Sequence, residues 1–157
     1  MRSDADEALK SIVVSDLRAR GFNGSYPNFY RDRNGHIDLL TFQFNNKGGS
    51  FVCEISFADQ ERSNVYIYKE TEPKMLRPNQ TTLRLRLGAQ PDQGIEDHWF
   101  SFENTGLVSR NSPTKAAQEV LSLVESQAEP WWRVQETTTA NKAAGHQRLI
   151  SCEPKPT

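Results

Sequence analysis

Between Asp4 and Arg20 the apolar residues Leu9, Ile12, Val13 and Leu17 recur at intervals of three and four, which places them on one face of a helix. Acidic Asp4, Asp6 and Glu7 stand near its start and Arg18 and Arg20 near its end, the order that the helix dipole favours. Gly21 follows where a left-handed C-terminal cap is wanted. Phe22 falls where such a cap sets an apolar residue against the last turn, here Leu17.

The period then changes to that of strands. After a loop with Gly24 and Pro27, "NFYRDR" and "HIDLLTFQF" flank Asn34-Gly35, the strongest short-range hairpin signal, and "NNKGGS" marks a second turn before "FVCEISF". In that last run Phe51, Cys53, Ile55 and Phe57 share one face while Val52, Glu54 and Ser56 share the other. The run before it opposes Leu40, Phe42 and Phe44 to Leu39, Thr41, Gln43 and Asn45. Each strand thus has one apolar and one mixed face. Residues 58–81 carry many charges, Pro73 and Pro78, and form a long loop or crossover in which only "VYIY" is a candidate edge strand. "TTLRLRLG" gives the clearest alternation in the chain. "DHWFSFE" adds a short strand with Phe100 and Phe102 on one side and Trp99 and Ser101 on the other.

A second helix opens with Ser112 as cap and Pro113 in the first turn, and its stripe is Ala116, Ala117, Val120, Leu121, Val124 and Ala128. Pro130 ends or kinks it, and Trp131 and Trp132 follow at once. One of these indoles is expected to cap the core and the other to rim the open face of the sheet. The remainder has little apolar periodicity, with a short helix expected near Ala140–Ala144, and ends in prolines. The pattern predicts an α+β fold: a single twisted antiparallel sheet of four to six strands, with an N-terminal and a C-terminal helix packed on one face. Residues 1–133 are expected to make one domain and 134–157 a polar, loosely ordered tail.

Length and charge narrow the picture. A chain of 157 residues suffices for one core without a metal or disulfide staple, and a net charge of -1 gives no field to gather nucleic acid or an anionic membrane. The acidic N-terminus lacks the layout of a secretory signal and no apolar run reaches membrane-spanning length, so a cytoplasmic location is expected. Cys53 in a strand and Cys152 in the tail are too isolated for a disulfide framework or metal site, and are expected to be reduced thiols.

Taken in order, "LRARGFNGSYPNFYR", "IDLLTFQFNN", "GSFVCEISF", "LRLRLG", "DHWFSF" and "AEPWW" resemble an uncharacterised, mostly bacterial family catalogued only as a domain of unknown function. The resemblance runs from about Leu9 to Trp132 and implies a compact α+β domain. It brings no activity and no catalytic residue with it.

No catalytic or cofactor motif stands out from the residues either. Cys53 has no histidine in a motif that would converge on it; His36, His98 and His146 are scattered, and a buried, inert thiol is the simpler reading. "NNKGGS" lies between strands, whereas a phosphate cradle opens a helix. No metal-ligand spacing is present, and no cofactor is expected.

What remains is the strand "LRLRL". If Leu83, Leu85 and Leu87 face the core, Arg84 and Arg86 stand on the opposite face, where Glu54, Gln43 and Trp99 can join them. One reading is a solvated face whose cross-strand pairs contribute about 0.2–1 kcal/mol each. The other is a binding face, because arginine and tryptophan are the residue types enriched at protein hot spots; Tyr30, Tyr66 and Tyr68 could add to it. The expected function is a non-enzymatic binding domain that uses this open face for a protein partner or a small anionic ligand. An immunity-type partner of a bacterial toxin is one form of it, an analogy from size and compartment. The alternative is a small enzyme with a site between the open face and the 58–81 loop. Exposed apolar remnants such as Leu39 and Val52 also allow a homodimer.

Overall fold

In a computed structural model, described over residues 1–104 and 110–151, the first periodic segment is one continuous helix, α1. It comprises Arg2–Ala8, a π-helical stretch Leu9–Val14 and Ser15–Ala19. Its end is the expected cap: Gly21 has φ +92, Phe22 N–H donates to Leu17 C=O at 2.9 Å and Gly21 N–H to Arg18 C=O at 3.0 Å. Leu17 and Phe22 are both buried.

The sheet has six antiparallel strands: β1 (Asn23–Ser25), β2 (Asn28–Arg33), β3 (His36–Phe44), β4 (Ser50–Ala58), β5 (Leu83–Arg86) and β6 (Phe100–Ser101). They run β1-β2-β3-β4-β5, and β6 pairs with the other end of β4 on the same side as β5. Asn34 and Gly35 both have positive φ, as the tight β2–β3 turn demands. The "VYIY" segment is not a strand. It makes one bridge, Val65 to Thr81, and Tyr66 and Tyr68 are exposed.

The second helix runs further than its proline suggests. α2 (Pro113–Leu123) passes through a π-helical stretch, Val124–Ala128, into α3 (Glu129–Ser151). Pro130 falls in the first turn of α3, where the wider π turn has already shifted the hydrogen-bond register and a missing N–H is tolerated. The expected loose tail is therefore helical as far as Ser151, and Arg33 fastens it by pairing with Glu136. Cys152 and the side chain of His146 lie outside the described residues.

Both helices lie on one face of the sheet. Leu9, Val13 and Leu17 of α1 and Ala117, Val120, Val124, Ala128 and Trp132 of the C-terminal helices bury the apolar face formed by Phe29, Leu40, Phe42, Phe51, Cys53, Ile55 and Phe57. Trp132 is fully buried, and its Nε1–H donates to the Ser56 carbonyl at 2.9 Å. At one end of this face Asp38, also fully buried, accepts from Arg31 Nε at 2.8 Å and from Arg33 Nε at 2.7 Å, and Arg31 reaches Glu129. Burying a carboxylate is tolerable here because two guanidiniums compensate it. This cluster pins the start of α3 to the β2–β3 hairpin.

The opposite face is half covered. The 58–81 loop folds over it, and Val65 and Leu76 bury Ile37, Leu39 and Ala58 in a second small core. Leu39 and Val52 are each 1 % exposed, so the apolar remnants expected to support a sheet-to-sheet dimer are not available to a partner. The sequence alone could not show this for Leu39, because the loop that covers it has no periodicity of its own.

Candidate functional site

The uncovered half of the mixed face lies along β4 and β5. Register pairs Glu54 with Arg86 and Ser56 with Arg84, so both arginines stand on the face of Glu54, as strict alternation requires. The Glu54 side chain is 7 % exposed, with Arg86 Nε 3.1 Å from one carboxylate oxygen and Arg84 Nη1 3.4 Å from the other. Two guanidiniums thus converge on one buried carboxylate. They are not equivalent. Arg86 is also held by Asp97 at 3.6 Å, whereas Arg84 is half exposed and has Glu54 as its sole ion-pair partner among the described residues.

The chain after β5 builds the rest of the site. Gly88 turns it at φ +94, a conformation that side chains avoid, and a Cβ there would lie 2.4 Å from the His98 ring. Gln127 of the helix clamps this turn, accepting from Gly88 N–H at 2.6 Å and donating to Ala89 C=O at 2.8 Å. The loop then returns with Asp97 beside Arg86, and Asp97 accepts the indole N–H of Trp99 at 3.1 Å. Trp99 therefore joins the cluster through Asp97 and is 44 % exposed. Glu54, Arg84, Leu85, Arg86, Pro91 and Glu96 line a cleft of about 330 Å³.

Of the residues singled out from sequence, Arg84, Arg86, Glu54 and Trp99 come together. Gln43 does not: it is exposed across from Val52 and does not line the cleft. Sequence reasoning missed Asp97, Pro91 and Glu96, which follow the turn at Gly88; the only local signal for Asp97 was its place two residues before Trp99. Trp131, expected at the rim of the open face, packs instead on the helix side.

Two further clefts flank the sheet edge. One of about 690 Å³ lies on the helix face, with Leu85, Ala89, Pro91, Pro130, Trp131 and Val134 among its lining. Another of about 620 Å³ is lined by His36, Asp59, Ser63, Asn64, Leu83 and Thr139 among others. In the latter the Ser63 hydroxyl and backbone N–H both donate to Asp59, so that pair closes the turn at the head of the loop. His36 stacks on Phe57 with its ring centroid at 5.6 Å, and its Nδ1 is buried without a partner among the described residues.

Cys53 is fully buried, and desolvation, reinforced by neighbouring Glu54, pushes its thiol well above the ordinary range; the inert reading accords with this. Among the described residues no cluster of histidine, cysteine and carboxylate could hold a metal ion. None of their helices is long and apolar enough to cross a membrane.

These features define a small α+β domain with two helices on one face of an antiparallel sheet and an arginine-lined cleft on the other. The chain belongs to the family described as Domain of unknown function (DUF4304), whose model matches residues 13–142. No curated protein and no solved structure matches it.

Proposed function

We propose that this chain is a non-enzymatic cytoplasmic binding domain that holds a protein segment or a small anionic group at the β5 cleft, through Arg84 and Arg86 with Trp99 at the rim. The observation that carries this reading is the asymmetry of the two arginines. Arg86 is fixed between Glu54 and Asp97 and orders the cleft. Arg84 keeps half its surface free, so an incoming carboxylate or phosphate can replace Glu54 as its partner without leaving a charge stranded. Arginine and tryptophan are also the residue types that carry binding energy at protein interfaces. An immunity-type partner of a toxin remains one form of such a module, by analogy alone.

The alternative is a small enzyme with a site between the open face and the 58–81 loop, whose first residues, among them Asp59 and Ser63, line a cleft with His36. It is the weaker reading because the Ser63 hydroxyl is committed to Asp59 within its own turn, and the interior of the 58–81 loop is packed with Val65 and Leu76. The test of the binding reading is an affinity capture from lysate of the source cells, comparing the wild-type chain with an Arg84→Ala/Arg86→Ala variant that a melting curve shows folded. A protein or small molecule held by the wild type and lost by the variant supports the site. Identical captures would reduce the arginines to a solvated strand face.

A further inference from the structure

The backbone of β5 extends the reading above, on which this inference rests. β5 ends the strand order, with β4 on one side and, among the described residues, no strand on the other. Leu87 N–H donates to Cys53 C=O at 2.7 Å, in register with the Glu54–Arg86 pairing. In an antiparallel ladder, residues of alternating parity turn their polar groups inward and outward. Leu83, Leu85 and Leu87 therefore bond toward β4, while Arg84 N–H and C=O and Arg86 N–H point away from it. Arg86 C=O is taken by Ala89 N–H at 2.9 Å, but the other three groups have no partner among the described residues. Upstream, the segment around Val65 already pairs against Thr81, as an added strand would.

Two clefts lie on either face of this short open edge, and Leu85 and Pro91 line both. The cleft on the mixed face offers Arg84; the cleft on the helix face offers Leu85, Ala89, Trp131 and Val134. A strand laid along β5 sends alternate side chains to the two faces. We propose that β5 receives a short extended segment of a partner polypeptide as an added strand, with acidic side chains on the Arg84 side alternating with apolar ones on the Trp131 and Val134 side. A second copy of this chain fits poorly: its β5 reads Leu-Arg-Leu-Arg and would set arginines, not acidic side chains, against Arg84.

The test uses the isotopically labelled full chain and capped peptides: one alternating valine with glutamate, one with the same residues in two blocks, and one alternating valine with lysine. The alternating glutamate peptide should saturably shift the amides of Arg84 and Arg86 and the Trp99 indole, and the other two should not. Arg84→Ala should weaken it about tenfold, as loss of one charge-assisted hydrogen bond implies. Arg84→Pro, which also removes the outward N–H without touching the β4 ladder, should abolish binding. Equal binding of the blocked peptide, or of the alternating peptide to the Ala and Pro variants, overturns strand addition while leaving an arginine site. Absence of any shift at β5 with the alternating peptide, or self-association through β5, overturns the proposal as well.

Discussion

Replacing Glu54 by glutamine keeps the volume of the side chain and removes the charge on which Arg84 and Arg86 converge. Taking away one partner of a fully buried ion pair costs about 3–5 kcal/mol, whereas exposed pairs contribute about 0.2–1 kcal/mol. Glu54 is buried but its partners are not: the Arg84 side chain is 48 % exposed and that of Arg86 31 %. Solvent screening therefore leaves about 0.5 kcal/mol for the Arg84 pair and about 1.5 kcal/mol for the Arg86 pair. Glu54→Gln should destabilise the fold by about 2 kcal/mol, a fall in Tm of about 4–8 °C for a chain of this size. Double-mutant cycles in urea resolve the two parts, and the coupling of Glu54 with Arg86 should exceed that with Arg84. A Glu54→Gln variant as stable as the wild type would refute the reasoning. Equal couplings would refute the asymmetry on which the binding reading depends.

Three other outcomes follow from the packing. Asp38→Asn leaves Arg31 and Arg33 facing each other without their shared, fully buried carboxylate, and urea unfolding should show a loss of about 3–5 kcal/mol; a loss comparable to that of an exposed pair would contradict the cluster. Trp132→Phe forfeits the hydrogen bond to the Ser56 carbonyl and part of a filled core, with an expected cost of about 1–3 kcal/mol in the same assay; no cost would detach α3 from the sheet. Burial holds the Cys53 thiol protonated in the folded chain while the unfolded chain ionises, so this contribution is complete below the ordinary thiol pKa. Above roughly pH 8.5 stability should fall by about 1.4 kcal/mol per pH unit relative to a Cys53→Ala variant, and parallel pH profiles would show the thiol accessible.

Much of the fold was legible because local chemistry and tertiary structure agree. The Gly21-Phe22 cap, the Asn34-Gly35 turn and the alternation of β4 and β5 each need only neighbouring residues to be understood. The convergence of Arg84, Arg86 and Glu54 was legible for the same reason, since parity alone assigns a face. What parity cannot assign is what lies over that face. Leu39 read as exposed because Val65 and Leu76, in the loop over this face, have no repeating pattern. Gln43 has the right parity and still stands apart from the cleft, and Asp97 reaches Arg86 from a loop whose path depends on the turn at Gly88. Residues 134–157 read as a loose tail because the helix that runs through them to Ser151 is weakly amphipathic. Arg33, more than a hundred residues earlier in the chain, pairs with Glu136 and helps to hold it.

The claim that the Arg84–Arg86 face of β5 is a binding site is tested most directly by recording the amide and indole spectrum of the labelled chain in buffer and in clarified, unlabelled lysate of the source cells. Selective shifts or broadening at Leu83–Arg86, Glu54, Asp97 and the Trp99 indole, absent from the Arg84→Ala/Arg86→Ala variant, are the predicted result. Resonances of β5 unchanged in lysate would contradict the claim.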